Sequence, residues 1–63
     1  MTYNELKKRL KKNGCRFLRD GANHEIWYSP VTDKQFPIGR HGSEEVRRGT
    51  LQAIRKQSGI DIE

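Results

Sequence analysis

Three short β-prone segments, Cys15 to Arg19, His24 to Tyr28 and Lys34 to Ile38, follow one another with only brief turns between them. A parallel crossover needs roughly a dozen residues or more, so these segments are expected to pair antiparallel, as a meander. Asp20-Gly21 is a turn dipeptide that closes the first segment, and Ser29-Pro30 opens the loop after the second. Pro37 has no N–H to donate, which places it at a strand end or on an edge. Side chains alternate across a strand, so His24, Ile26 and Tyr28 share one face of the second segment and Glu25 and Trp27 the other. Ile26 and Tyr28 are expected to face the core. Trp27 is then exposed, free to stack a base or to enter a partner interface.

Helical periodicity flanks the meander on both sides. Thr2-Tyr3-Asn4-Glu5 has capping-box spacing, in which the threonine hydroxyl and the glutamate carboxylate satisfy each other's backbone N–H groups. Tyr3, Leu6 and Leu10 fall on one helical face, and Lys7, Lys8, Lys11 and Lys12 on the others. Asn13-Gly14 ends this helix, predicted over Tyr3 to Asn13. Ser43 reads as the N-cap of a second helix, with Glu44 and Glu45 at its positive dipole end and Gly59 stopping it near Ser58. Val46, Thr50, Leu51, Ala53 and Ile54 form its inward face, and Arg48, Gln52, Arg55 and Lys56 point away. The expectation is one α+β domain over residues 1–63, in the order α-β-β-β-α. It has a three-stranded antiparallel sheet with both helices on one face. The predicted core is Leu6, Leu10, Phe17, Ile26, Tyr28, Phe36, Ile38, Val46, Leu51 and Ile54.

That core is thin, because a domain of 63 residues buries only about 60% of the surface its unfolded chain exposes. The single cysteine, Cys15, has no partner within the chain and reads as a small buried hydrophobe. An unpaired thiol suits a reducing, cytoplasmic setting. No apolar run approaches the roughly 18 residues a membrane span requires, and the opening residues lack the pattern of a signal peptide. A net charge of +5 and a pI near 9.8 favour an anionic partner.

The two histidines stand at punctuated positions. His24 begins a strand after the Gly21-Ala22-Asn23 turn, and His41 lies in Pro37-Ile38-Gly39-Arg40-His41-Gly42. Histidine is the side-chain type that titrates near neutral pH, and in a basic domain it suggests acid–base chemistry on a polyanion such as RNA. Taken alone, His24 reads first as a residue that fixes its own turn by hydrogen bonding, and for His41 a structural role is as good a reading as a functional one. The histidines and Cys15 lack paired ligand spacing, so neither a metal nor a cofactor is expected.

An ordered set of motifs carries a family resemblance. It comprises the early helix ending at Gly14, the Gly21-x-x-His24 turn, Pro37-x-x-Arg40-His41, and Gly49-Thr50-Leu51 leading to Ile54-Arg55-Lys56-Gln57-Ser58-Gly59-Ile60. The chain resembles the HicA-type toxins, small ribonuclease partners of HicB antitoxins in bacterial toxin–antitoxin pairs. The resemblance implies a double-stranded-RNA-binding-domain-like fold, metal-independent cleavage of messenger RNA and arrest of translation. It assigns the catalytic histidine to His24. Many members carry serine just before that histidine, where Asn23 stands here.

RNA holds its own nucleophile, the ribose 2′-hydroxyl, so a positioned histidine that moves a proton can promote cleavage. Arg40 and the backbone after Gly21 are candidates to oppose the charge that develops on phosphate, with His41 as a helper or substrate contact. Lys7, Lys8 and Lys11 form the densest positive patch and join Arg40 and His41 as candidate RNA contacts. The implied partners are messenger RNA and a HicB-like antitoxin covering His24. DNA would be reached only through the antitoxin, and no membrane is involved. Two alternatives share the fold: a non-catalytic module that binds RNA duplexes by shape, and a protein-docking domain. Duplex-binding domains open their last helix with lysines. The predicted start here, Ser43-Glu44-Glu45, would instead repel phosphate.

Overall fold

The computed structural model describes residues 1–62. The elements run α1 (Tyr3–Lys12), β1 (Arg16–Asp20), β2 (His24–Ser29), β3 (Lys34–Gly39) and α2 (Arg48–Ser58). The α-β-β-β-α order and the α+β class agree with the sequence expectation. The strands form one antiparallel sheet in the order β1-β2-β3.

Helix α1 starts as its sequence requires. The Thr2 hydroxyl accepts from the Glu5 N–H at 3.3 Å and the Glu5 carboxylate accepts from the Thr2 N–H at 2.8 Å. These hydrogen bonds hold the Glu5 carboxyl below its ordinary range. At the other end the chain leaves the helix through Asn13 and Gly14, whose φ of 94° suits glycine. Leu6 and Leu10 from α1 and Ile54 from α2 meet Trp27, Phe36 and Ile38 in one core, so both helices cover the same face of the sheet.

Three expectations require correction. The first is the start of α2, which is Arg48 with Arg47 as its N-cap. The segment before it is held by the N-terminus: Glu44 C=O accepts from the Tyr3 N–H at 3.0 Å, Val46 N–H donates to Met1 C=O at 2.9 Å, and Thr2 bridges Glu45 antiparallel. These hydrogen bonds point sideways to another segment, so Ser43, Glu44 and Glu45 do not enter the helix. Tertiary pairing outweighs a favourable capping sequence. The consequence is electrostatic: α2 opens on Arg47 and Arg48, with no acidic residue in its first turn.

The second correction reverses the faces of β2. Trp27 is buried at 2% exposure, whereas Ile26 and Tyr28 are only half-buried. Trp27 pairs with Phe36 of β3, and Glu25 pairs with Ile38, so the odd-numbered residues of β2 face the helices. Glu25 tolerates that side because its carboxylate accepts from the Trp27 indole N–H at 3.0 Å and pairs with Lys7 of α1 at 3.1 Å. The third correction is Phe17, which is 46% exposed. Strand β1 lies at the sheet edge, while α2 packs over β3 and β2. Leu51 is likewise only half-buried. Cys15, Ile60 and Ile62 complete the core in their place.

The C-terminal end of α2 is tied to β2 by a buried polar link. The fully buried Ser29 hydroxyl donates to the Ser58 carbonyl and accepts from the Val31 N–H at 3.2 Å. This satisfies one of the last-turn carbonyls that a helix cannot satisfy itself.

Candidate nucleic-acid site

His24 is the first residue of β2, exposed, and paired with Gly39 at the end of β3. By strand alternation its side chain shares a face with Ile26 and Tyr28, opposite Glu25 and Trp27. The turn before it is tight: Gly21 N–H donates to His24 C=O at 2.7 Å. A Cβ on Gly21 would lie 2.9 Å from that carbonyl oxygen and 3.4 Å from Ile26 Cδ1, so the close approach needs glycine.

Arg40 clamps this turn from the end of β3. Its guanidinium donates to the Gly21 carbonyl and lies 3.7 Å from the Asp20 carboxylate. Strand pairing and this clamp bring together three features predicted separately: His24, the Gly21 backbone and Arg40. Gly39 adds a neighbour. Its missing side chain admits the Tyr3 ring, whose Cζ would lie 2.8 Å from a Cβ at position 39. The first turn of α1 therefore packs against the residue that pairs with His24.

The other predicted contacts are placed differently. Lys7 is held by Glu25, and the Lys11 ammonium sits 5.8 Å from the centroid of the Trp27 ring, both on the helix-covered side of β2. Burial works against the charge on Glu25. The hydrogen bonds from Trp27 and Lys7, with the charges of Lys7 and Arg40, outweigh it, so the carboxyl titrates below its usual range. Lys8 is exposed on α1. His41 is exposed just beyond β3, where its carbonyl accepts from the Glu44 N–H at 3.0 Å. Among the described residues no hydrogen bond joins the two imidazoles, and no three His, Cys, Asp or Glu residues gather as a metal site would require. Burial raises the Cys15 thiol, partly offset by a hydrogen bond with Ser29, as fits a packed and unreactive group.

Sequence reasoning passed over Arg16 and Arg19 and assigned Tyr28 to the core. The reversed faces of β2 leave Tyr28 half-buried on the side away from Trp27, with the Arg16 guanidinium over its ring at 5.2 Å from the centroid. Only strand register reveals that neighbour.

Against known proteins, the model of the HicA toxin family of bacterial toxin–antitoxin systems matches residues 3–60. The chain belongs to that family. No curated protein and no solved structure matches it. The family match spans every element of the fold, from the first residue of α1 to the turn after α2. Membership makes the chain a toxin-family protein with an antitoxin partner. Among the described residues no helix is long and apolar enough to cross a membrane.

Proposed function

We propose that this chain is an endoribonuclease toxin that cleaves messenger RNA without a metal, with His24 moving the proton. The observation that carries the reading is the exposed His24 at a strand start, against a turn braced by the Arg40 guanidinium. In the reaction the ribose 2′-oxygen loses its proton and bonds to the adjacent phosphorus. The bond from phosphorus to the 5′ oxygen breaks, and that oxygen gains a proton. The products are a 2′,3′-cyclic phosphate and a 5′-hydroxyl. His24 serves one of the two proton transfers as general base or acid. Arg40 opposes the charge that builds on the phosphate oxygens. Lys8 and His41 remain the freer of the predicted RNA contacts, since Lys7 and Lys11 already engage Glu25 and Trp27. A HicB-like antitoxin silences the toxin by covering the approach to His24. A complex that still cleaves RNA contradicts that part of the reading.

One observation favours a second reading, a non-catalytic module that binds RNA duplexes. Helix α2 opens on the exposed Arg47 and Arg48 rather than on Glu44 and Glu45, which removes the repulsion expected from the sequence. Paired induction of the native chain and His24→Ala in cells separates the two. Growth arrest with transcript cleavage, both lost in a folded His24→Ala variant, supports the ribonuclease. Equal behaviour of the two chains removes His24 from the mechanism.

A further inference from the structure

The open face of the sheet carries a second set of residues continuous with His24. Along β2, Tyr28 follows His24 on the same face at four residues' distance, about 13 Å at the usual strand rise. The facing positions on β1 are Arg16, paired with Tyr28, and Arg19, paired with Ile26. Arg19 reaches this face through a break in register. Pairing is regular at Phe17 and Trp27, skips Leu18, and resumes at Arg19 and Ile26. Without that bulge Arg19 would oppose Glu25 on the helix side, where its cation would be directed at the carboxylate already held by Lys7. Bulges recur beside functional sites because they re-aim a side chain. On β3 the same face shows Gln35 and Pro37, opposite Tyr28 and Ile26.

Tyr28 is held in place from the turn between β2 and β3. Its hydroxyl donates to the Asp33 carboxylate at 2.5 Å, which fixes the ring and raises the phenol's pKa. Both arginines are exposed. An aromatic face beside cations is the combination that single-strand-binding surfaces use, with the ring taking a base and the cations tracking phosphates. A regular duplex keeps its bases stacked inside and offers none to the ring.

We propose that the open sheet face, with Tyr28 as stacking platform and Arg16 and Arg19 as phosphate contacts, binds single-stranded RNA and leads it to His24. The proposal rests on the ribonuclease reading for the meaning of His24, but its binding surface is tested without cleavage. The chain carrying His24→Ala is titrated into a labelled, unstructured RNA 12-mer, and into a duplex of the same sequence, with fluorescence anisotropy as readout over a salt series. In that background Tyr28→Leu, which keeps apolar mass and removes the ring, weakens single-strand binding by about 5- to 150-fold, the range for stacking one base. Tyr28→Phe, which retains the ring, restores binding to within a few-fold. Arg16→Ala with Arg19→Ala lowers the salt slope by about 1.4, as two lost contacts to a single strand should. Lys56→Ala, an equal charge loss on the exposed side of α2, leaves the affinity within about 2-fold, since one distant charge removes no direct contact.

Circular dichroism confirms that each variant is folded, and the paired arginine variant with the comparison of single strand and duplex carries the test if Tyr28→Leu is not. Binding unaffected by the Tyr28 and arginine changes overturns the platform and leaves the ribonuclease reading standing. Tighter binding of the duplex than of the single strand also overturns it. So does loss of antitoxin binding with RNA affinity intact, which would make this face a protein-docking surface. If the variants behave as expected while the native chain never cleaves RNA, the platform stands and the ribonuclease reading falls.

Discussion

Replacing Trp27 by phenylalanine tests the reversal of β2 most sharply, because the two placements of that ring predict opposite outcomes. In the structure the indole is buried at 2% exposure and its N–H donates to the Glu25 carboxylate at 3.0 Å. Phenylalanine retains an aromatic ring but lacks that donor. A hydrogen bond to a charged group contributes about 1.5–3 kcal/mol, and the small void left by the lost ring atoms about 1 kcal/mol more. The sum, about 2.5–4 kcal/mol, is a large share of a total near 3–9 kcal/mol for a chain of this length. Urea unfolding followed by circular dichroism is the suitable assay, since the substitution removes the only tryptophan. At an m-value near 1 kcal/mol per molar, the midpoint falls by about 2.5–4 M. Glu25→Gln alone and in the Trp27→Phe background measures the coupling between the two side chains directly. RNA affinity of the folded fraction stays as in the native chain. A loss below about 0.5 kcal/mol, the level of an ordinary surface substitution, together with weakened RNA binding, would refute the reasoning. Trp27 would then be an exposed stacking residue.

Three further outcomes follow from the packing. Ser29→Ala leaves the Ser58 carbonyl and the Val31 N–H without their partner in a buried setting. It destabilises by about 1–3 kcal/mol, read as a fall in Tm of roughly 4–8 °C per kcal/mol for a domain of this size. Gly39→Ala drives a methyl to 2.8 Å from Tyr3 Cζ and costs about 1–3 kcal/mol. Tyr3→Ala in the same chain recovers part of that loss if the clash is the cause. Glu25 titrates below its usual range when folded, so its stabilising contribution is fully present above the ordinary glutamate value of about 4.3. The contribution is lost as the pH falls through the depressed folded value. Stability measured from pH 6 to 3 should therefore drop more steeply for the native chain than for Glu25→Gln.

Much of the architecture was legible because local chemistry decided it. The Thr2-to-Glu5 spacing, the Asn13-Gly14 exit and the short turns between strands each act within a few residues, and the structure shows helix and strands where they point. The features that escaped depend on distant partners. Alternation along β2 separates two faces without saying which is inside, and Ile26 beside Tyr28 read as the packed one. Lys7, brought from α1, pairs with Glu25 and lets the face that carries Trp27 turn inward. Ser43-Glu44-Glu45 looked like a helix start until the N-terminal segment claimed its backbone. The bulge at Leu18 leaves no sequence mark at all, yet it decides where Arg19 points. For the site, the grouping of His24, Gly21 and Arg40 was expected as separate motifs, and antiparallel pairing of β2 with β3 is what joins them.

The central claim is that His24 performs proton transfer in RNA cleavage. Its most direct test uses purified native chain and His24→Ala on a defined RNA containing EDTA, with the ends of the products identified. The account predicts cleavage by the native chain that persists in chelator, yields 2′,3′-cyclic phosphate and 5′-hydroxyl ends, and disappears in the folded variant. Equal cleavage by both chains, or native cleavage that stops when metal is chelated, would contradict it.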